Sequence, residues 1–402
     1  MKQLFDQRCK QYPLDARYIS VLAKGLGLKK TDHYKLFSVM GREELLDHLT
    51  RSSYRDFVHQ GDWHDSRFRM NLHMHSVCSD GSLSLEDYLE KGQQYASLSA
   101  KKVDDLDRLP ALTLGLTDHD TIHGLQELLK ILALNPEKYQ NLRVVLGCEF
   151  SCAYRSEEMF NQPFSFELLH YGINPFDQAI IKHLSALKRS RRAVLHQIVT
   201  TLANRFPFVE FDAVEASFVS DNMFKQQGTN FPFDLLRYAI TKLIDAKYHD
   251  AIYDICFRTY HMNVNDQDKI YNEVEEVFEH TTEYSLIGLP HPAKMNLTSR
   301  ILKSKFVEAC HQRAYNPSME ATWRIMSDLY QQGMEFVELY YQSYSGDLSE
   351  SQTNIMPDEM NYQARNDADA WMMHFYNFAN RNQLAKTGSY DTHGKTIYRK
   401  LN

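Results

Sequence analysis

Histidines and carboxylates recur in this sequence at spacings that suit metal binding. His73 and His75 flank a single methionine. On an extended strand, residues two apart point to the same side, so both imidazoles reach one cation from one strand end. Ser79-Asp80-Gly81 follows, a turn from which the Asp80 carboxylate swings back over the same mouth. Further on come Thr117-Asp118-His119-Asp120, Gly147-Cys148-Glu149, His170, His291-Pro292 and Asp391-Thr392-His393-Gly394. Any one of these alone is more often a hydrogen-bonded turn residue than a ligand, and the joint pattern carries the inference. Mixed imidazole and carboxylate donors suit zinc, manganese or iron better than calcium, and so many exceed one tetrahedral site. Two or three divalent ions are expected. The 18 histidines among 402 residues point the same way.

Seven short apolar runs must position these groups, at 70–75, 111–118, 142–150, 166–173, 284–291, 335–341 and 384–391. Runs that are apolar throughout suit strands buried on both faces, as in a parallel sheet or barrel, and amphipathic helical segments alternate with them. Six of the seven end or nearly end in His, Asp or Glu. The C-terminal rim is where α/β barrels keep catalytic groups. Residues 178–282 form a largely helical stretch, longer than a simple crossover, and read as an inserted helical subdomain. Residues 1–65 show helical spacing and read as an N-terminal extension to a barrel domain at 66–402. That extension is a candidate for partner binding or homo-oligomerisation.

Composition narrows the class. With 43% hydrophobic and 24% charged residues the chain is an ordinary globular protein. A formal charge of -7 counts against a surface that coats long nucleic acid. The six cysteines are scattered without a disulfide framework or zinc-ribbon spacing. Neither a signal peptide nor a membrane span is evident, so a cytoplasmic location is expected.

The motifs NLHMHSVCSDG, GLTDHDTIHG, LGCEF, LLHYGIN, GLPHP and SYDTHG, in this order, resemble the PHP family, named for polymerase and histidinol phosphatase domains. The resemblance covers about residues 70–180 and 284–395. It implies a distorted seven-stranded (β/α) TIM-like barrel, in agreement with the strand count, and metal-dependent hydrolysis of phosphate esters at a trinuclear centre. It places His73, His75, Glu149 and Asp391 on one metal. Glu149 would bridge to a second metal that also takes His170 and His291, and Asp80, His119 and His393 would hold a third. Three features depart from the family pattern: Asn71 where Asp is usual, a final motif stretched over Gly388 to His393, and a large insertion and extension.

Such cations would neutralise phosphate oxygens and supply a hydroxide near neutral pH for in-line attack, with Glu149, Asp391, His393 and Asp118 in the catalytic set. Asp118 and Asp120 are candidates to orient His119, Asp118 equally as a plain turn carboxylate. Arg189, Arg191 and Arg192 are candidates for the substrate phosphate, and Lys294 is a further one. A solvated helix face is an equally good reading of the arginines. The expected substrate is a small phosphorylated metabolite or nucleotide. The alternatives are a phosphodiesterase or exonuclease acting on short oligonucleotides, an amidohydrolase, and a non-catalytic metal-binding regulatory module.

Overall fold

All seven expected strands form, and they assemble into a sheet that nearly closes on itself. The computed structural model describes residues 1–52, 70–79, 81–100, 112–207, 245–248, 250–251, 255, 270–292, 295, 301–341 and 373–389. Asp80, Lys294, Asp391 and His393 lie outside the described residues, as does the side chain of Arg192. Among the described residues no helix is long and apolar enough to cross a membrane.

The strands are β1 (Val39–Met40), β2 (Met70–Asn71), β3 (Leu112–Leu116), β4 (Leu142–Tyr154), β5 (Phe164–Tyr171), β6 (Asn272–Glu273), β7 (Leu286–Leu289), β8 (Phe336–Tyr341) and β9 (Ala385–Ser389). Their order is β2-β3-β4-β5-β7-β8-β9, with β9 coming back alongside β2. One strand departs from the expected parallel arrangement. β5 runs antiparallel to both β4 and β7. The connection from Tyr154 to Phe164 is too short for a parallel crossover, which needs a dozen or more residues, so the chain turns back as a hairpin.

The N-terminal segment is part of the barrel. Helices α1 (Lys2–Gln11), α2 (Pro13–Gly25) and α3 (Arg42–Arg51) flank β1, which pairs in parallel with the first half of β4 through Val39 and Val144. β5 pairs only with the second half of β4, from Gly147 onward, so β1 occupies the place below it. Leu45 and Leu49 of α3 pack with Met70, Leu72, Val145, Leu169, Tyr171, Leu286 and Phe336 in one apolar cluster. Tyr171 stacks on Phe336, with ring centroids 4.9 Å apart, although β5 and β8 are not neighbours in the sheet. This cluster therefore lies inside the barrel and forms the floor beneath the C-terminal rim. The larger core packs α1 and α2, together with α4 (Leu85–Ala100) and α5 (His123–Leu134), on the outer faces of the strands.

The helices follow local rules. After α6 (Gln178–Arg205), α7 (Val274–Glu279) and α8 (Ser304–Gln312) comes α9 (Pro317–Gln332), which starts with proline and is capped by Asn316, whose side chain accepts from Ser318 N–H and Met319 N–H. It ends at Gly333 with φ 111°, and its buried stripe of Ala321, Thr322, Ile325, Met326 and Leu329 faces the sheet.

Candidate metal centre

Glu149 projects from β4 into the barrel, opposite Leu169 of β5, just above the apolar floor. Four imidazoles converge on it. Its Oε2 lies 2.9 Å from His73 Nε2, 3.2 Å from His75 Nε2 and 3.2 Å from His119 Nδ1. Its Oε1 lies 3.3 Å from His291 Nε2. His75 stacks on His119 and His73 on His291, with ring centroids 4.5 and 5.5 Å apart. His73, His75 and Glu149 are fully buried, whereas the side chain of His119 is 17% exposed. Burial pushes the Glu149 carboxyl up, but His73 and His119 outweigh it, helped by hydrogen bonds from His291 and His73, and hold it well below the usual carboxylate range.

Backbone pairing sets this geometry. His119 and Glu149 form an isolated parallel bridge, and Asp120 N–H donates to the Glu149 carbonyl at 2.9 Å. The turn after His75 closes tightly, since a Cβ at Gly81 would stand 2.2 Å from the His75 carbonyl oxygen. His291 and Asp120 have positive φ values of 26° and 47°, conformations that cost of order 1–3 kcal/mol and cluster at functional sites.

Two carboxylates without an expected role belong to the cluster. Glu167 of β5 forms a group with His119 and Glu149, and Glu338 of β8 forms one with His73 and His291. Glu167 lies 3.6 Å from His291 Nε2 and is 37% exposed. The signal for both was a lone acid inside an otherwise apolar run, FELLHY or FVELYY. His170 does not join them. It stands opposite Cys148, on the face of the sheet that carries Phe150, and so points away from Glu149. A shift of one residue along a strand exchanges faces, and the hairpin register gives the inward place to Glu167.

His170 is fully buried, and among the described residues neither ring nitrogen has a hydrogen-bond partner. Burial, and secondarily His280, pushes its pKa down to about 3. The unfolded imidazole titrates near 6.5. The folded chain therefore keeps His170 neutral where the unfolded chain takes up a proton, and stability falls as pH drops from about 6.5 toward 3. We expect the difference in unfolding free energy between wild type and His170→Leu to shift against wild type by about 1.4 kcal/mol per pH unit below about 6. Urea titrations of both proteins at pH 7.5, 6 and 5 check this, and parallel curves would contradict it.

The aspartates flanking His119 are bonded elsewhere. Asp118 accepts from Ser76 N–H, Ser76 Oγ–H and Ser79 Oγ–H, each at 2.7 Å, and so braces the turn after His75. Asp120 accepts from Ser151 N–H at 3.0 Å and Asn272 Nδ2–H at 2.7 Å, and pairs with Arg191 at 2.8 Å. Arg191 is only 6% exposed and also donates to the Ile270 carbonyl. Its guanidinium joins α6 to the chain leaving the insertion, so its placement is that of a structural ion pair. Arg189 is exposed. Arg191→Ala strands a buried carboxylate and is expected to cost about 3 kcal/mol or more in unfolding free energy, against no more than about 0.5 kcal/mol for Arg189→Ala. Equal melting behaviour of the two variants would remove this distinction.

Fold and side chains together define an α/β barrel with a buried histidine–carboxylate cluster able to hold divalent metal. No family model matches the chain, and no curated protein matches it. Among solved structures, a protein described as a metal-dependent phosphoesterase from Bifidobacterium adolescentis is 17% identical with a TM-score of 0.47, covering 83% of this chain and 90% of its own. An amidohydrolase from Chromobacterium violaceum is 15% identical with a TM-score of 0.47, covering 83% of this chain and 92% of its own.

Proposed function

We propose that this chain is a metal-dependent phosphoesterase acting on a small phosphorylated metabolite or nucleotide. The observation that supports it is the convergence of four imidazoles on the two oxygens of Glu149. His73 Nε2 and His75 Nε2 stand 3.1 Å apart, a spacing that suits two imidazoles sharing one cation at about 2.0–2.1 Å. The donors fit zinc, manganese or iron. His73, His75 and Glu149 would hold one ion, and Glu149 with His119 and Glu167 another. The resemblance adds Asp391 to the first ion and puts Asp80 and His393, with His119, on a third.

When bound, divalent cations offset phosphoryl charge and bring the pKa of water toward neutrality. The rest is supplied by the chain. The apolar floor of Leu72, Val145, Leu169 and Tyr171 closes the barrel beneath the site. His119 and Glu167 are the cluster members that reach solvent, so substrate approaches from their side. A phosphate is preferred to a carbonyl substrate because the motif set HxH, SDG and TDHDT resembles phosphoesterase sequences.

Metal analysis of the purified protein, followed by assay with p-nitrophenyl phosphate, bis-p-nitrophenyl phosphate, nucleoside monophosphates, short oligonucleotides and a p-nitroanilide, tests the proposal. The expected result is one or more equivalents of metal and turnover of monoesters. Turnover of diesters alone or of the anilide alone replaces the substrate class. Less than one equivalent of metal, with no activity on adding manganese, zinc or iron, overturns the enzyme reading.

A further inference from the structure

Glu338 has no part in the hydrolytic reading, yet it is completely buried at the centre of the rim. It sits in β8, between β7 and β9 in the sheet. Its Oε1 accepts from Ser389 Oγ–H at 2.6 Å, at the end of β9. Its Oε2 accepts from the backbone N–H of His291, after β7, at 3.0 Å, and lies 3.5 Å from His73 Nδ1, after β2. Among the described residues no backbone ladder joins β9 to β2. One side chain thus ties together three chain segments around the place where the barrel is not closed by its own hydrogen bonds.

His73 presents its two nitrogens to two different carboxylates. Nε2 faces Glu149, on the side where His75 and His119 gather, and Nδ1 faces Glu338. A histidine ligand ordinarily binds through one nitrogen and donates its other N–H to a carboxylate or carbonyl, which fixes tautomer and ring orientation. We propose that Glu338 is a positioning residue of the metal centre: it accepts from His73 Nδ1–H, leaves Nε2 free to ligate, and holds the strand ends bearing His73 and His291 at fixed separation. The competing role, Glu338 as a ligand alongside His73 and His291, would place a cation on the oxygen that already accepts the His291 amide. It would also put the His73 proton on Nε2, the nitrogen that faces Glu149 Oε2 at 2.9 Å and His75 Nε2 at 3.1 Å, and so remove His73 from the ion held by that pair. The proposal rests on the metal-centre reading, and its test separates the two.

The full-length protein, Glu338→Gln and Ser389→Ala are titrated with zinc against a chromophoric chelator, with thermal melts confirming that each is folded. The amide keeps the shape of the carboxylate and loses its charge. Glu338→Gln is expected to bind the same number of zinc ions about 10–100-fold more weakly, the range found when such outer partners are removed. Ser389→Ala loses one donor to Glu338 and touches no ligand, so a smaller loss in the same direction is expected. In nitrogen-15 histidine spectra of the zinc-loaded protein, the His73 Nδ1–H signal is expected in wild type and displaced in Glu338→Gln. Should Glu338→Gln not fold, Ser389→Ala and the wild-type signal decide. Unchanged affinity with an unmoved Nδ1–H signal overturns the positioning role. Loss of one whole equivalent of zinc makes Glu338 a ligand and overturns it too. A wild-type protein that binds no zinc, manganese or iron sinks the metal centre itself, and the wild-type titration tells these failures apart.

Discussion

Glu149→Gln is expected to lose the bound metal and to lower kcat/KM on p-nitrophenyl phosphate by about a thousandfold, or about 4 kcal/mol of transition-state stabilisation. The substitution barely changes volume. It removes the single anion to which His73, His75, His119 and His291 all point, and a neutral amide is a poor ligand for a divalent cation. Stability should fall as well. Glu149 is fully buried, and its histidine partners more than offset the cost of burying its charge. The metal-free variant is therefore expected to melt below metal-free wild type. Adding zinc at a hundred times its dissociation constant should stabilise wild type by about 2.7 kcal/mol and the variant hardly at all. Metal content, rate and paired melts with and without zinc form the measurement. A variant that keeps its full metal complement and its rate would defeat the assignment of Glu149 as the shared ligand.

The strands were legible in the sequence because each is a short apolar run ended by turn-forming or charged residues, and burial on both faces leaves little else that such a run can become. Direction was not legible. β5 is as apolar as its neighbours, and only the short link from Tyr154 to Phe164 marks it as the return arm of a hairpin. The site divides along the same line. His73, His75, His119 and His291 come together because each sits just beyond a strand end, where a small error in register still leaves the side chain at the rim, while Glu149 joins them from within β4 on the inner face. His170 and Glu167 lie inside a strand, where register decides everything. The more metal-like residue type fell on the outer face and the carboxylate on the inner one. Residue type thus located the centre, and strand parity determined its membership.

The extension illustrates a different limit. Helical spacing in residues 1–52 is plain, but nothing in it announces that β1 completes the sheet or that α3 closes the barrel floor. What joins them is a buried ionic network with partners far apart in sequence. Arg8 donates to Glu44 at 2.6 Å through Nε, and to the carbonyls of Phe37 and Val39, each at 2.6 Å. Arg143, one residue into β4, donates to the other oxygen of Glu44 at 3.3 Å and lies over the Phe37 ring. Pairings that span 36 and 99 residues leave no local pattern to read.

That network carries the second large prediction. Glu44 is 3% exposed; burial pushes its carboxyl up, but Arg8 and Arg143 more than reverse this and hold it below its ordinary value. Glu44→Ala leaves two guanidinium groups facing one another in the same buried space with no anion between them. Removing one partner from a buried ion pair costs about 3–5 kcal/mol, and two stranded cations place this variant toward the upper end. The loss should extend to the metal centre. Arg8 also holds the Val39 carbonyl, Val39 pairs with Val144, and Glu149 stands five residues further along the same strand. Urea unfolding at pH 7.5 with and without zinc is the measurement. The expected result is a drop of this size, together with weaker zinc binding than in Arg189→Ala, a surface control on α6. If Glu44→Ala unfolds within about 1 kcal/mol of wild type and binds zinc normally, the N-terminal segment is an appendage and the barrel closes without it.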